Sequence, residues 1–166
     1  MTHRADGPAA RPSVGSTVAG CAVCEQHAAA RAAGHVLWTD GRFLVIHHPE
    51  PSPLAGWLRL DAVEHVGGVA DLADDDAARF GVLHARIASC MKQALGVDRV
   101  YAIAFGESAR HLHMHLVPRR VDRDDLAAWA LADGYRACMR DPSLAAGAEQ
   151  VQHARERFRT MLAASL

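Results

Sequence analysis

Residues 111–117 read His-Leu-His-Met-His-Leu-Val. On an extended chain, His111, His113 and His115 project to one face, and Leu112, Met114 and Leu116 to the other. Same-face neighbours two residues apart sit roughly 6.5–7 Å from one another. Such a row of imidazoles can hold a metal, hold phosphate oxygens or supply a nucleophile. A merely solvated strand face usually mixes Thr, Lys, Arg and Glu, so three histidines in register is a narrow choice.

A neutral imidazole attacks phosphorus well and forms a phosphoramidate that water later cleaves. His113, the central residue, is the natural attacker, with His115 beside it as a donor to phosphate oxygens. Ser108 and the backbone N–H groups of the 106–110 turn can also donate, and Ser108 can assist the leaving group. Gly106 lets the backbone come close to an anion. Arg119 shares the alternation of His113 and His115, so it is a candidate phosphate ligand. A carbonyl accepting from the His113 ring would leave Nε2 free.

The metal reading draws on other residues as well. Zinc takes four N or S ligands, and structural sites often use two thiolates and two imidazoles. Cys21-x-x-Cys24 supplies one half of such a set. His65 and His111 supply the other if the third and fifth strands are neighbours. The competing arrangement places zinc on the triad itself. Three residues at i, i+2 and i+4 span about 13 Å on a strand, so only two of them could reach one ion.

These residues must be positioned by the elements around them. Cys21 and Cys24 open a short Ala-rich helix that ends at Gly34. Strands over 35–39 and 42–47 meet at Asp40-Gly41, a strong hairpin signal. A Pro-rich loop leads to a third strand over 57–60, with His65 just beyond. Carboxylates at 71–76 precede a helix over 77–95, whose Phe80, Leu83, Ile87, Met91 and Leu95 form an apolar stripe. Gly96 ends it. Strands over 99–105 and 112–119 follow, then helices over 123–139 and 144–164 broken at Asp141-Pro142. Trp129 and Tyr135 are expected to be buried in that helix pair. The order β-β-β-α-β-β predicts an α+β fold: a five-stranded antiparallel sheet, one long helix packed on it, and appended C-terminal helices. The expected organisation is a disordered lead over 1–18, a domain over 19–120 and a helical extension over 121–166. Unpaired strand edges at this size favour a homodimer.

The 166 residues suffice for one domain with a sizeable core; half are apolar and 22% are charged. A net charge of −1 argues against nucleic acid or an anionic membrane as partner. No apolar run approaches the roughly 18 residues of a membrane helix. The first 20 residues lack the apolar core of a signal peptide, so a cytoplasmic location is expected by default.

The run His-Leu-His-Met-His-Leu-Val resembles the motif of the histidine-triad family, His-φ-His-φ-His-φ-φ with φ apolar, at all seven positions. Gly106 and Ser108 stand where that family has a Gly and a Ser or Thr. Residues 56–72 resemble its segment of strand, upstream histidine and Asp-Leu, with His65 as the histidine. Cys21-Ala-Val-Cys24 is similar to the zinc-binding pair of many bacterial members, whose other ligands are the upstream histidine and the first triad histidine. The likeness covers residues 21–120. It implies a histidine-triad fold, a structural zinc and a homodimer built on a continuous sheet. It implies nucleotidyl hydrolysis or transfer at the α-phosphorus, through a nucleotidyl-histidine intermediate on His113. Substrates would be nucleoside phosphoramidates, dinucleoside polyphosphates or nucleotide sugars, purine nucleotides being favoured. Mg2+ would accompany the polyphosphates. Base and ribose would lie against Leu37, Phe43, Val45 and His47.

The chain also departs from the family pattern. Ala62 and Val63 replace the usual Pro-Lys before the upstream histidine. His47-His48 stands in place of an acidic residue that grips the ribose. Trp57 replaces a common histidine, and Ala102 and Ala104 lie where an asparagine is frequent. The alternative is therefore a nucleotide-binding or sensing module that keeps fold and zinc but turns over little.

Overall fold

The computed structural model describes residues 17–107 and 109–166, so the expected disordered lead lies mostly outside the described residues. Its elements are α1 (Ala22–Ala32), β1 (Val36–Thr39), β2 (Phe43–His47), β3 (Leu58–Ala62), α2 (Asp74–Leu95), β4 (Arg99–Ile103), β5 (His113–Arg119), α3 (Ala128–Arg140) and α4 (Ala148–Ser165). The five strands form one sheet in the order β1-β2-β3-β5-β4, with every neighbouring pair antiparallel. The fold is α+β, as its element order predicts, and β3 lies directly beside β5.

Strand alternation gives the sheet two different faces. Phe43, Val45, Leu58, Leu60, Ala62 and Leu116 share a buried core with Phe80, Leu83, Ile87 and Met91 of α2. Phe158 and Leu162 of α4 enter the same core. The last helix is therefore part of the main packing unit. On the other face, cross-strand pairing sets Asp61 beside His113, and Arg59 between the backbones of His115 and Ile46. Tyr101 and Ile103 of β4 lie beside Val117 and His115.

Two helices cover this second face. Near the β3 end, α1 lies over Arg59 and Asp61 through Gln26 and His27. Farther along β5, Leu131 and Tyr135 of α3 pack with Trp57, Val117 and Leu126. Tyr135 is half-buried there, whereas Trp129 is 85% exposed on the outer side of α3. Helical spacing places Trp129 and Tyr135 about 600° apart around the axis, so they do not share one buried stripe.

Local chemistry accounts for the element ends. Helix α2 begins at Asp74, three residues before the expected start, because Asp74, Asp75 and Asp76 occupy its first turn and complement the helix dipole. It closes on Gly96, whose φ of 60° is the left-handed conformation that suits glycine. The β1–β2 turn is fixed by Asp40, whose Oδ1 accepts from the N–H groups of Arg42 and Phe43. Only Gly41 there takes positive φ. The strand β5 starts at His113, so His111 sits in the preceding turn rather than in the ladder.

Candidate functional site

Leaving the ladder is what frees His111 for a separate task. Its Nε2–H donates to the Ala62 carbonyl at 2.8 Å, so Nδ1 carries the lone pair. That Nδ1 lies 3.6 Å from Cys21 Sγ and 3.4 Å from Cys24 Sγ. His65 Nδ1 is 3.7 Å from Cys24 Sγ. The four ligand atoms all lie within 4.8 Å of one another. Tetrahedral zinc with its usual Zn–S and Zn–N bonds puts S and N about 3.6 Å apart, so the spacing fits this ion. Burial lowers the His111 imidazole to about 4, which keeps it neutral, as a ligand must be. The residues that would hold zinc are thus Cys21, Cys24, His65 and His111.

His113 and His115 remain in the strand with their rings 5.4 Å apart. The Nδ1–H of His113 donates to the His111 carbonyl at 2.6 Å, leaving Nε2 with a free lone pair. His115 is set the opposite way. Trp57 Nε1–H donates to His115 Nδ1 at 3.1 Å, so the His115 proton sits on Nε2. Burial, with His48 and Arg59 nearby, pushes His115 down to about 3. One imidazole therefore offers a lone pair and its neighbour an N–H.

A cleft of about 140 Å³ opens at His113, lined by Gly67, Gly68, Val69, Ala104, Phe105 and Gly106 together with the 111–113 segment. Gly106 is thus beside the candidate nucleophile. Ser108, expected to assist there, lies outside the described residues.

Several expected site residues are elsewhere. Leu37, Phe43 and Val45 are 4%, 1% and 0% exposed in the core against α2, on the sheet face away from His113. They pack against the helix and are not among the residues that line the cleft. His47 is also spent on structure: its Nδ1–H donates to the His48 carbonyl at 2.8 Å, and its Nε2 accepts from the Gly56 N–H at 3.0 Å. Both ring nitrogens thus clamp the 48–56 loop. Arg119 shares the parity of His113, but six strand positions carry it about 20 Å away; neither it nor His115, whose ring lies 5.4 Å from that of His113, is among the residues that line the cleft.

Arg59 and Asp61, which the sequence reading does not single out, pair with His115 and His113 across the β3–β5 ladder. Arg59 and Asp61, at 3% and 0% exposure, form a buried ion pair under α1, joined by His27 and Gln26. Burial alone would raise the Asp61 carboxyl, but Arg59 and the His27 hydrogen bond outweigh it and hold it at about 2. Two charges at alternate positions among apolar residues of one strand were the available signal. His48, held by an Nδ1–H bond to the Pro49 carbonyl, packs 5.0 Å from Trp57, 5.5 Å from His115 and 5.6 Å from Tyr135.

No family model and no curated protein match the chain. Solved structures do. A hypothetical histidine triad nucleotide-binding protein from Sulfolobus tokodaii matches with a TM-score of 0.61 at 15% identity, over 84% of this chain and 92% of that one. A Zn-bound histidine triad family protein from Mycobacterium smegmatis matches with a TM-score of 0.59 at 19% identity, over 87% and 94%. A histidine triad protein from Bradyrhizobium japonicum gives 0.58 at 17%, over 79% and 93%. With its five antiparallel strands, its helix-backed sheet and its histidines at 111, 113 and 115 leading into β5, this chain has the histidine-triad fold.

Proposed function

We propose that this protein is a histidine-triad nucleotide hydrolase or nucleotidyl transferase, with His113 as nucleophile and a structural zinc at Cys21, Cys24, His65 and His111. The observation that carries the reading is the pair of opposite tautomers on β5. His113 presents Nε2 as a lone pair, and His115 presents Nε2 as a donor. That is the division of labour an attack on phosphorus requires. The matching structures add support, since the Sulfolobus tokodaii protein is called nucleotide-binding and the Mycobacterium smegmatis protein is Zn-bound.

The reaction runs in two steps. His113 Nε2 attacks the α-phosphorus of a nucleoside phosphoramidate or dinucleoside polyphosphate, and the bond from phosphorus to the leaving group breaks. The new N–P bond leaves positive charge on the ring, which the His111 carbonyl stabilises through Nδ1–H. His115 Nε2–H steadies the phosphoryl oxygens throughout. Water then attacks phosphorus, the N–P bond breaks, and the nucleoside monophosphate leaves. Gly106 lets backbone N–H groups approach the phosphate, and Ser108, outside the described residues, is the group proposed to assist the leaving group. Bound zinc would supply no chemistry to these steps; it would fasten α1 to the turn that carries His111. The base would lie at the rim, where Phe105 is 62% exposed and offers a ring face for stacking. Of the two edge strands of the sheet, β1 and β4, we assign β4 to a homodimer. Among the described residues no helix is long and apolar enough to cross a membrane.

A panel of adenosine and guanosine phosphoramidates and dinucleoside tri- and tetraphosphates, read by mass spectrometry, tests this function. Turnover of at least one class is expected, with an acid-labile nucleotide trapped on the wild type and absent from His113→Ala. Full activity in His113→Ala would overturn the covalent mechanism. Nucleotide binding without turnover across the panel would replace the enzyme with a binding module.

A further inference from the structure

We propose that the buried Arg59–Asp61 pair serves the chemistry at His113 as well as the docking of α1: the Asp61 carboxylate, seated opposite His113 on the neighbouring strand, stabilises the positive charge that the ring acquires when it bonds to phosphorus. Asp61 is thus a positioning residue that acts through His113, a role that rests on the nucleotidyl chemistry proposed above.

Strand register sets the two charges beside the two histidines. In the antiparallel β3–β5 ladder, Asp61 lies directly across from His113, and Arg59 directly across from His115. Directly opposed residues share a face of the sheet, with Cβ atoms about 4.5–5.5 Å apart. Neither charge is free to swing away. Asp61 Oδ1 accepts from Arg59 Nε at 3.2 Å, and Oδ2 accepts from Arg59 Nη2 and, at 2.9 Å, from His27 Nε2. Arg59 Nη1 donates to Gln26 Oε1 of α1. The side chains of Arg59 and Asp61 are 3% and 0% exposed, so little water screens them. Burial alone would raise the Asp61 carboxyl, but Arg59 and the His27 hydrogen bond outweigh it, and the carboxylate stays ionised at neutral pH. At His115, after burial and His48, the lowering by Arg59 exceeds the opposite pull of Asp61.

Docking α1 does not by itself require charge. A buried ion pair can often be replaced by apolar residues of similar volume with no loss of stability. The chemistry at His113 does gain from it. When Nε2 attacks, its lone pair becomes the N–P bond, and the electron pair of the broken bond departs with the leaving group. The ring keeps its Nδ1–H and so carries a full positive charge in the nucleotidyl intermediate. That charge disappears when water attacks phosphorus and the N–P pair returns to Nε2. The His111 carbonyl meets the charge as a neutral dipole at Nδ1–H. Asp61 meets it with a fixed negative charge from across the ladder, in a setting of low dielectric where such a charge acts more strongly than in water. The compensating Arg59 is anchored opposite His115, the ring that stays neutral.

The experiment removes the carboxylate from the full chain in two ways. Arg59→Met with Asp61→Leu replaces the pair by apolar volume, and Asp61→Asn keeps the shape without the charge. Single-turnover formation of nucleotidyl-His113 is followed by acid quench with diadenosine tetraphosphate and with an adenosine phosphoramidate, below the melting range of each variant. AMP affinity and zinc content are measured on the same samples. Formation should slow by roughly tenfold or more in both variants and on both substrates, with AMP bound no more weakly and zinc retained. A wild-type rate in either variant would overturn this inference, including the pattern in which only the less stable Asp61→Asn is slow; the pair would then only fasten α1. A slower step accompanied by weaker AMP binding or by loss of zinc would overturn it in the same way. Absence of nucleotidyl-His113 from the wild type would overturn the proposed function, and this inference with it.

Discussion

His27 Nε2–H donates to Asp61 Oδ2 across 2.9 Å, with both side chains closed to solvent beneath α1. Arg59 grips the same carboxylate, so a helix is fastened to the sheet through a buried charge pair. Removing one member leaves the other charge buried and alone. Asp61→Asn should therefore cost about 3–5 kcal/mol in urea unfolding, whereas the double variant Arg59→Met with Asp61→Leu should recover most of that loss. A single variant within the experimental error of wild type would mean that the pair contributes nothing to the docking of α1.

Stability should fall early on acidification. Burial holds His48 at about 4 and His115 at about 3 in the folded state, while unfolded histidines titrate near 6.5. Between those values the unfolded chain binds more protons, so stability drops as pH falls below about 6.5. Each of the two should contribute a loss on the order of 2 kcal/mol between pH 7 and pH 5. Asp61 acts lower: its contribution is present above about pH 4 and is lost as pH falls through about 2. Denaturation midpoints of wild type and His48→Gln across this range test the point. The variant should show a shallower slope, and parallel curves would sink the assignment to His48.

The strand carrying the histidines and the cluster of Cys21, Cys24, His65 and His111 were readable from residue type and spacing. Periodicity of two marks β5, and Cys-x-x-Cys with two distant histidines marks the metal set. Parity does not reveal where a strand begins. His111 shares the parity of His113, yet the ladder starts two residues after it, and this separates the member of the Cys/His cluster from the histidine at the cleft. Parity also does not say which face of β2 meets a ligand. Phe43 and Val45 looked equally suitable for a core or a base pocket, and the position of α2 decides for the core. Trp57 registered only as a missing histidine. Its role depends on the β3–β5 register and on the packing of α3, neither of which leaves a local sequence signal.

The reassignment of the β2 residues has its own test. His47→Ala removes the acceptor for the buried Gly56 N–H and frees the loop that His47 clamps. It should cost about 1–3 kcal/mol, and Phe43→Ala should cost about 3–5 kcal/mol as a core truncation. KM for the cleaved nucleotide should change in neither, measured below the melting range of each variant. A raised KM with unchanged stability would restore the nucleotide-contact role to these residues.

Zinc content and thermal stability should change together. Helix α1 has 11 residues, a length at which an isolated helix is marginal, and its Cys21 N-cap makes no side-chain capping bond. Coordination by Cys21 and Cys24 would replace that cap and tie the helix start to His65 and His111. Purified protein should carry one zinc per chain, and Cys24→Ser and His65→Ala should each lose it. His113→Ala should retain it, because its Nδ1 is committed to the His111 carbonyl and its Nε2 faces the cleft. Removing the metal by chelation should lower Tm by about 10 °C, the shift expected from a few kcal/mol in a chain of this size. Metal analysis paired with calorimetry reads both quantities on the same samples. Undiminished zinc in Cys24→Ser and His65→Ala would rule out this ligand set. Loss of zinc in His113→Ala with retention in those two would move the ion onto the triad, and with it the nucleophile would be lost.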